Sequence, residues 1–266
     1  MIYSFHQRDY ISFEEFIREI SNYGIIIIGE NHDSSLHHEN QRDILNRFSD
    51  FGPLDAGLEA IEWTHQELLD EFTGGTIDEL KFLDAIKWNK AIPFSFYAPL
   101  ITAAVKSGGF AYGLNAPPSI ARRIALEGVD GLTAEERQIL PPDFKIGSEL
   151  YFQLFQQKMR KIQHPKMGSS WDRLFAAHSL WDDTMAYQAL KHCRQGIPFF
   201  IIAGNFHVFF KLGISARIAE RSNNKISSCT IIQVSSAYTT PEEIEEYTKP
   251  HSEFGIIGDY MIITNT

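Results

Sequence analysis

The chain has 266 residues, a length that fits one large domain or a domain carrying a sizeable insertion. Hydrophobic residues make up 44% and aromatics 13%, with 20 Phe, enough for a packed core, so global disorder is excluded. Acidic residues outnumber basic ones 34 to 24, a formal charge of −10, and a surface of that sign repels phosphate backbones, which argues against nucleic acid as a partner.

No apolar run approaches the roughly 18–20 residues needed to span a bilayer, so no transmembrane segment is expected. Residues 1–16 carry neither a basic region nor an apolar stretch of the signal-peptide kind. A cytoplasmic location is expected if Met1 is the native start, and the cell envelope if a leader has been removed. The two cysteines, Cys193 and Cys229, form no CxxC or zinc-finger spacing. Any metal would therefore rest on His, Asp, Glu or Tyr.

In chain order, Ser12 and Glu15 fit a capping box ahead of a first helix. Ile25–Ile28 is a continuous β-branched run, the pattern of a strand buried on both faces. Asp33, Ser34 or Ser35 can cap a helix running to about Phe48. A short strand is expected at 56–60, a helix near 64–72, another from a cap at Thr76 to Trp88, and one from Pro99 to Val105. Phe110–Leu114 reads as a third strand and Pro198–Ala203 as a fourth, with further candidates at 228–234 and 260–264. Residues 116–196 break the rhythm with helical patterns and no convincing strand. The expectation is an α/β fold: a mostly parallel central sheet flanked by helices, a core of residues 1–115 and 197–266, and a helical insertion over 116–196 between the third and fourth strands.

In open α/β sheets, ligands lie beyond the carboxyl ends of the strands. Here those ends offer Glu30 and His32, then Glu59, Asn115, and finally Asn205 and His207. Two of them share the form Gly-x-x-His, at 29–32 and 204–207. Imidazoles and carboxylates on one rim suit a divalent metal ion, and equally suit general acid–base work. The bland reading is that His32 and His207 satisfy backbone groups in tight turns.

Two helices add polar residues to apolar stripes. His37 and Gln41 continue the Ile44, Leu45, Phe48 face towards the rim, with Glu30 and His32 as plausible partners; His38 lies off that stripe. Trp171, Leu174, Phe175, His178, Asp182, Met185, Ala186 and Ala189 form one continuous face. A carboxylate is almost never buried alone, so Asp182 is expected to meet a polar cavity, a cation, or His178 one turn away. Tyr151, Phe152, Phe155, Met159 and Met167, with His164 nearby, read as core or as a soft pocket for a flat ligand.

Gly29-Glu-Asn-His32-Asp, His37-His38, Gln41, Glu59, Trp88, Tyr97-x-Pro99, Asn115-Ala-Pro117, Asp182-x-x-Met185-Ala186 and Gly204-Asn-x-His207-Val208 occur in that order. This series resembles the ChaN-like haem-binding uptake family, in a wider group with the Tiki and TraB proteins and the erythromycin esterases. The likeness runs from Ile2 to about Ile218. It implies haem as cofactor and partner, a role in bacterial iron acquisition at the envelope, and a homodimer with haem held by a tyrosine at the subunit contact. Tyr151 and His164 are the haem-ligand candidates by their place in the insertion. The wider relatives imply a rival, a metal-dependent hydrolase. There His32 and His207 with Glu59 or Asp182 would hold a divalent metal, Glu30 would be the general base, and Asn205 or Asn115 an oxyanion donor. A third reading is a non-catalytic interaction protein.

Overall fold

The computed structural model describes residues 1–161 and 170–265. Met167 and His164, named above as pocket candidates, lie outside the described residues. Eight strands form one sheet: β1 (Ile2–Ser4), β2 (Asp9–Ile11), β3 (Ile25–Glu30), β4 (Asp55–Glu62), β5 (Ala111–Asn115), β6 (Phe199–Gly204), β7 (Ser228–Ser235) and β8 (Tyr260–Thr264). Their order is β2-β1-β8-β7-β3-β6-β4-β5. From β8 to β5 all neighbours are parallel, and β1 runs antiparallel to both β8 and β2. The fold is α/β with a mostly parallel sheet, as the alternation of strand and helix patterns predicts.

The helices are α1 (Phe13–Ile20), α2 (Ser35–Ser49), α3 (Gln66–Thr73), α4 (Glu79–Ala85), α5 (Ala98–Lys106), α6 (Pro118–Glu127), α7 (Ala134–Arg137), α8 (Glu149–Lys161), α9 (Trp171–His192), α10 (Ile214–Arg221) and α11 (Pro241–Tyr247). They cover both faces. Side chains alternate along β3, so Ile26 and Ile28 join Ile17, Ile44, Leu45 and Leu100 from α1, α2 and α5. Ile25 and Ile27 join Met185, Ala186, Ala189 and Ile214 from α9 and α10. All four isoleucines are fully buried, which is why the run lacks any polar alternation.

Three details differ from the sequence reading. β1 and β2 went unread because three residues are too few to display a period. The helix expected from a cap at Thr76 starts at Asp78, whose carboxylate accepts the Lys81 N–H at 2.8 Å, and it ends at Ala85. Asp is the stronger N-cap and lies nearer the apolar positions of α4. Residues 116–196 contribute only helices among the described residues. However, α9 is shared. Its first half packs with α6 in a separate cluster through Ala176, Ala177 and Leu180, and its second half lies on the sheet.

Candidate functional site

The chain leaves β3, crosses beyond β6 to reach β4, and later returns through β6 to β7 on the other side of β3. The carboxyl ends of β3, β4 and β6 thus flank a reversal of strand order, where an open α/β sheet leaves a crevice. The Gly-x-x-His segments end β3 and follow β6, which pair in parallel with Gly29 opposite Ala203 and Glu30 opposite Gly204. That register brings His32 and His207 to the same rim.

Both imidazoles face Glu59. His207 Nε2 lies 3.3 Å from Glu59 Oε1 and His32 Nε2 lies 4.0 Å from the same oxygen. The other Glu59 oxygen accepts the Gly204 N–H at 2.5 Å. Behind each histidine stands a carboxylate, and behind each carboxylate a tyrosine. His32 Nδ1 is 2.8 Å from Glu30 Oε1, which also accepts the Tyr97 hydroxyl at 2.6 Å. His207 Nδ1 is 2.7 Å from Asp182 Oδ1, and Asp182 Oδ2 accepts the Tyr151 hydroxyl at 2.8 Å. The Tyr151 oxygen lies 2.7 Å from His178 Nε2. His178 and His207 stack with ring centroids 4.5 Å apart and planes 15° apart.

Burial opposes ionisation of Glu59, but the His207 charge and hydrogen bond, with His32 and the Gly204 N–H, hold its carboxyl down to about 2. Burial likewise opposes charge on His207, yet Glu59 and Asp182 push it up to about 10. Burial drives His178 down to about 4 despite Asp182. Burial pushes the hydroxyls of Tyr97 and Tyr151 upward, and Glu30 and Asp182 respectively reinforce it, so both are neutral phenols. Glu30 is held below the carboxylate range: burial opposes this, and the His32 hydrogen bond and the His38 charge outweigh it. The hydrogen bond to Glu30 raises His32.

The donor atoms of His178, Asp182 and His207 fall within 4.8 Å of one another, the spacing of an ion site. The ring geometry argues against one. An imidazole lone pair lies in its ring plane, so two nearly parallel stacked rings cannot both point at a single ion. Both His207 nitrogens also face carboxylate oxygens and so carry protons. For the same reason the set His32, Glu59, His207 converges on one carboxylate but does not offer three lone pairs. The residues as arranged do not fit a divalent metal.

Other sequence candidates sort differently. Gln41 reaches Glu30 through its side-chain amide, whose Nε2 donates to Oε2 at 2.7 Å. His37 turns away, its Nδ1 accepting the Asn31 N–H at 2.9 Å while Nε2 has no hydrogen-bond partner among the described residues. His38 instead sits 3.5 Å from Glu30, because α2 begins at Ser35 and its first turn abuts the rim on two sides. Asn205 is tied to Asn31 at 3.1 Å and to the Gln233 carbonyl at 2.8 Å, and the Asn115 oxygen accepts its neighbour's N–H at 2.9 Å. The Asn205 amide nitrogen is spent on these partners and is no free oxyanion donor, whereas the Asn115 contact occupies only its oxygen. Tyr151 is 1% exposed and its oxygen is spent on Asp182 and His178, which leaves no face open to a haem iron. Tyr97 and Gln233 were missed as site residues; Tyr97-x-Pro99 entered only as part of the family series, and nothing local in it signals Glu30.

Gly29 permits the close approach of the two loops. A Cβ there would land inside the Asn205 side chain and 2.6 Å from Val208 Cγ2. Gly29→Ala is expected to lose about 1–3 kcal/mol by overpacking, read as a lower urea midpoint. Gly24→Ala, whose Cβ would meet nothing closer than 3.6 Å, is the control. Equal midpoints would show that the loops are not packed as described.

Residues 16–218 match the family described as haem-binding uptake, Tiki superfamily, ChaN. The chain belongs to that family. ChaN of Campylobacter jejuni has a solved structure that superposes with a TM-score of 0.71 at 21% identity, covering 98% of this chain and 94% of that one. An erythromycin esterase, EreC, aligns at 12% identity and TM-score 0.47 over 88% of this chain and 77% of its own. The type III effector HopBA1 aligns at 9% and 0.47 over 94% and 91%. No curated protein matches the sequence. The ChaN-like fold therefore carries the twin histidine rim described above.

Proposed function

We propose that the chain binds ferric haem at the carboxyl rim of its sheet, as a homodimer serving bacterial iron acquisition at the cell envelope. The observation that carries this reading is the family match across residues 16–218. The C. jejuni relative binds haem cofacially. Haem needs an axial donor and flat apolar walls. Half-buried aromatics surround the rim: Phe96 stacks on His38 at 4.4 Å, Phe206 lies 4.6 Å from the His178 ring, and Trp181 lies 6.1 Å from the His207 ring. Trp63 follows β4 at its carboxyl end. The indole N–H groups of Trp63 and Trp181 are buried without a hydrogen-bond partner among the described residues, as donors for an acidic ligand would be.

The family resemblance points to a tyrosine ligand, and with Tyr151 sealed the phenol open to solvent at this rim is Tyr238. It follows β7 and is 76% exposed. A bound ferric iron would be the Lewis acid that such a phenolate satisfies. Titration of the purified chain with ferric haem is expected to give a saturable Soret shift at micromolar haem. Tyr238→Phe should abolish that shift, and Tyr151→Phe should leave its position unchanged. Absence of saturable binding would overturn the proposal; loss of the shift in Tyr151→Phe but not in Tyr238→Phe would overturn the ligand.

A second reading rests on a different observation, the convergence of His32 and His207 on Glu59. A neutral His32 backed by Glu30 can take a proton from a water at its Nε2, the first step of ester or amide hydrolysis. Turnover on an ester or peptide panel that disappears in His32→Gln would favour it. Inactivity of the wild-type chain across the panel would count against it.

A further inference from the structure

The two histidine modules repeat the same design and differ in one respect. In each, a buried tyrosine donates to a carboxylate, and that carboxylate takes the Nδ1–H of a rim imidazole, at 2.6 and 2.8 Å for Tyr97, Glu30 and His32, and at 2.8 and 2.7 Å for Tyr151, Asp182 and His207. The difference lies at Nε2. His207 Nε2 is 3.3 Å from Glu59, whereas His32 Nε2 stands off at 4.0 Å, beyond a hydrogen bond. The His207 side chain is 7% exposed and that of His32 41%.

We propose that Tyr97 and Tyr151 are twin positioning residues serving two histidines with opposite tasks: His207 is a fixed imidazolium that clamps Glu59, and His32 is a rim imidazole whose Nε2 is open to a ligand.

The direction of each hydrogen bond supports this. Asp182 and Glu59 can only accept when ionised, so both His207 nitrogens donate. The Tyr151 hydroxyl donates to Asp182 and therefore receives the His178 Nε2–H. Protons thus run from His178 to Tyr151 to Asp182, and from His207 to both Asp182 and Glu59. The groups facing His207 are Asp182, Glu59, the stacked His178 and the edge of Trp181. Those facing His32 are Glu30, Glu59, the Tyr97 hydroxyl at 3.5 Å from its Nδ1, and across Glu59 the His207 charge, which opposes a charge on His32. Deprotonation of His32 therefore strips Nε2, and Glu30 keeps the proton on Nδ1. A carboxylate behind a ligating imidazole in this way fixes its tautomer and raises its basicity. This assignment stands whether the rim takes up haem or a hydrolysable substrate.

Long-range nitrogen–proton NMR of the full chain labelled with 15N-histidine tests it, from about pH 5.5 to about pH 8.5, where free imidazoles change charge. Signals are assigned with His32→Gln and His207→Gln. The expected result is a His207 protonated on both nitrogens throughout, and a His32 whose neutral form carries its proton on Nδ1. Tyr97→Phe should shift the His32 signals alone, and Tyr151→Phe the His207 signals alone. A His207 that becomes neutral within this range, or a neutral His32 protonated on Nε2, would overturn the proposal, and the wild-type series decides this even if a tyrosine variant fails to fold. Tyrosine variants that fold and move neither histidine would refute the positioning role.

Discussion

Asp182→Ala is expected to destabilise the fold by about 3–5 kcal/mol, the range for removing one partner of a buried, hydrogen-bonded ion pair. Asp182 is 1% exposed and is the shared acceptor of the His207 Nδ1–H and the Tyr151 hydroxyl. Its loss leaves a buried imidazolium with Glu59 alone and strands the phenol with only the His178 ring and the Phe206 carbonyl, the latter 3.4 Å away. The cavity left by the carboxylate adds to this. Urea unfolding of Asp182→Ala against Asp172→Ala measures it. Asp172 lies exposed in the first turn of the same helix, where removal should cost no more than about 1 kcal/mol. If the two variants unfold at the same urea concentration, the buried relay contributes nothing and the description of the site is wrong.

Stability should also fall on both sides of about pH 6.5, with the steeper loss on the acid arm, where two imidazoles act together, and a longer decline on the alkaline arm. His207 is raised by folding from 6.5 to about 10. Its contribution is complete below pH 6.5 and disappears as the pH climbs through 10. On the acid side, Glu59 is depressed from 4.5 to about 2, so its contribution is present above 4.5 and is lost as the pH falls through 2. His178 and His37 are each held down to about 4, chiefly by burial, so below pH 6.5 the unfolded chain takes up protons that the folded chain declines. That erodes stability between 6.5 and 4. The alkaline loss is on the order of 3–5 kcal/mol between about pH 6.5 and 10. Urea midpoints across that range should slope downward in wild type and flatten in His207→Gln. A wild-type midpoint that stays level above pH 6.5 would mean that His207 is not charged in the folded state.

The parts of this site that sequence patterns revealed are those governed by short-range rules. Ile25–Ile28 had to be a central strand, and a Gly-x-x-His segment after such a strand had to place an imidazole at the rim. His178 and Asp182 were exposed as anomalies because they interrupt an apolar stripe, and burial of a carboxylate requires a partner. Pairing was less accessible. Which residues meet Glu30 depends on how α2 abuts the rim: Gln41 reaches it from the apolar stripe, but the imidazole that joins it is His38 and not His37. Tyr97 reaches Glu30 across 67 positions of chain, a contact no local spacing encodes. Tyr151 shows the opposite failure. Its place among aromatics suggested an open pocket, while the structure closes Phe155 and Phe175 around it and turns its oxygen inward. β1 and β2 were silent because their pairing with β8 supplies the order that three residues cannot.

The family assignment and the rim geometry meet in one claim, that haem binds at the carboxyl ends of the strands. Ferric haem is paramagnetic, so it broadens nearby signals and spares distant ones. With 15N-histidine-labelled chain and one equivalent of ferric haem, the His32 signals are predicted to broaden beyond detection. Those of His192, stacked on Tyr112 at the far end of α9, should persist unchanged. Sharp His32 signals beside a broadened His192, or no bound haem at all, would contradict the account.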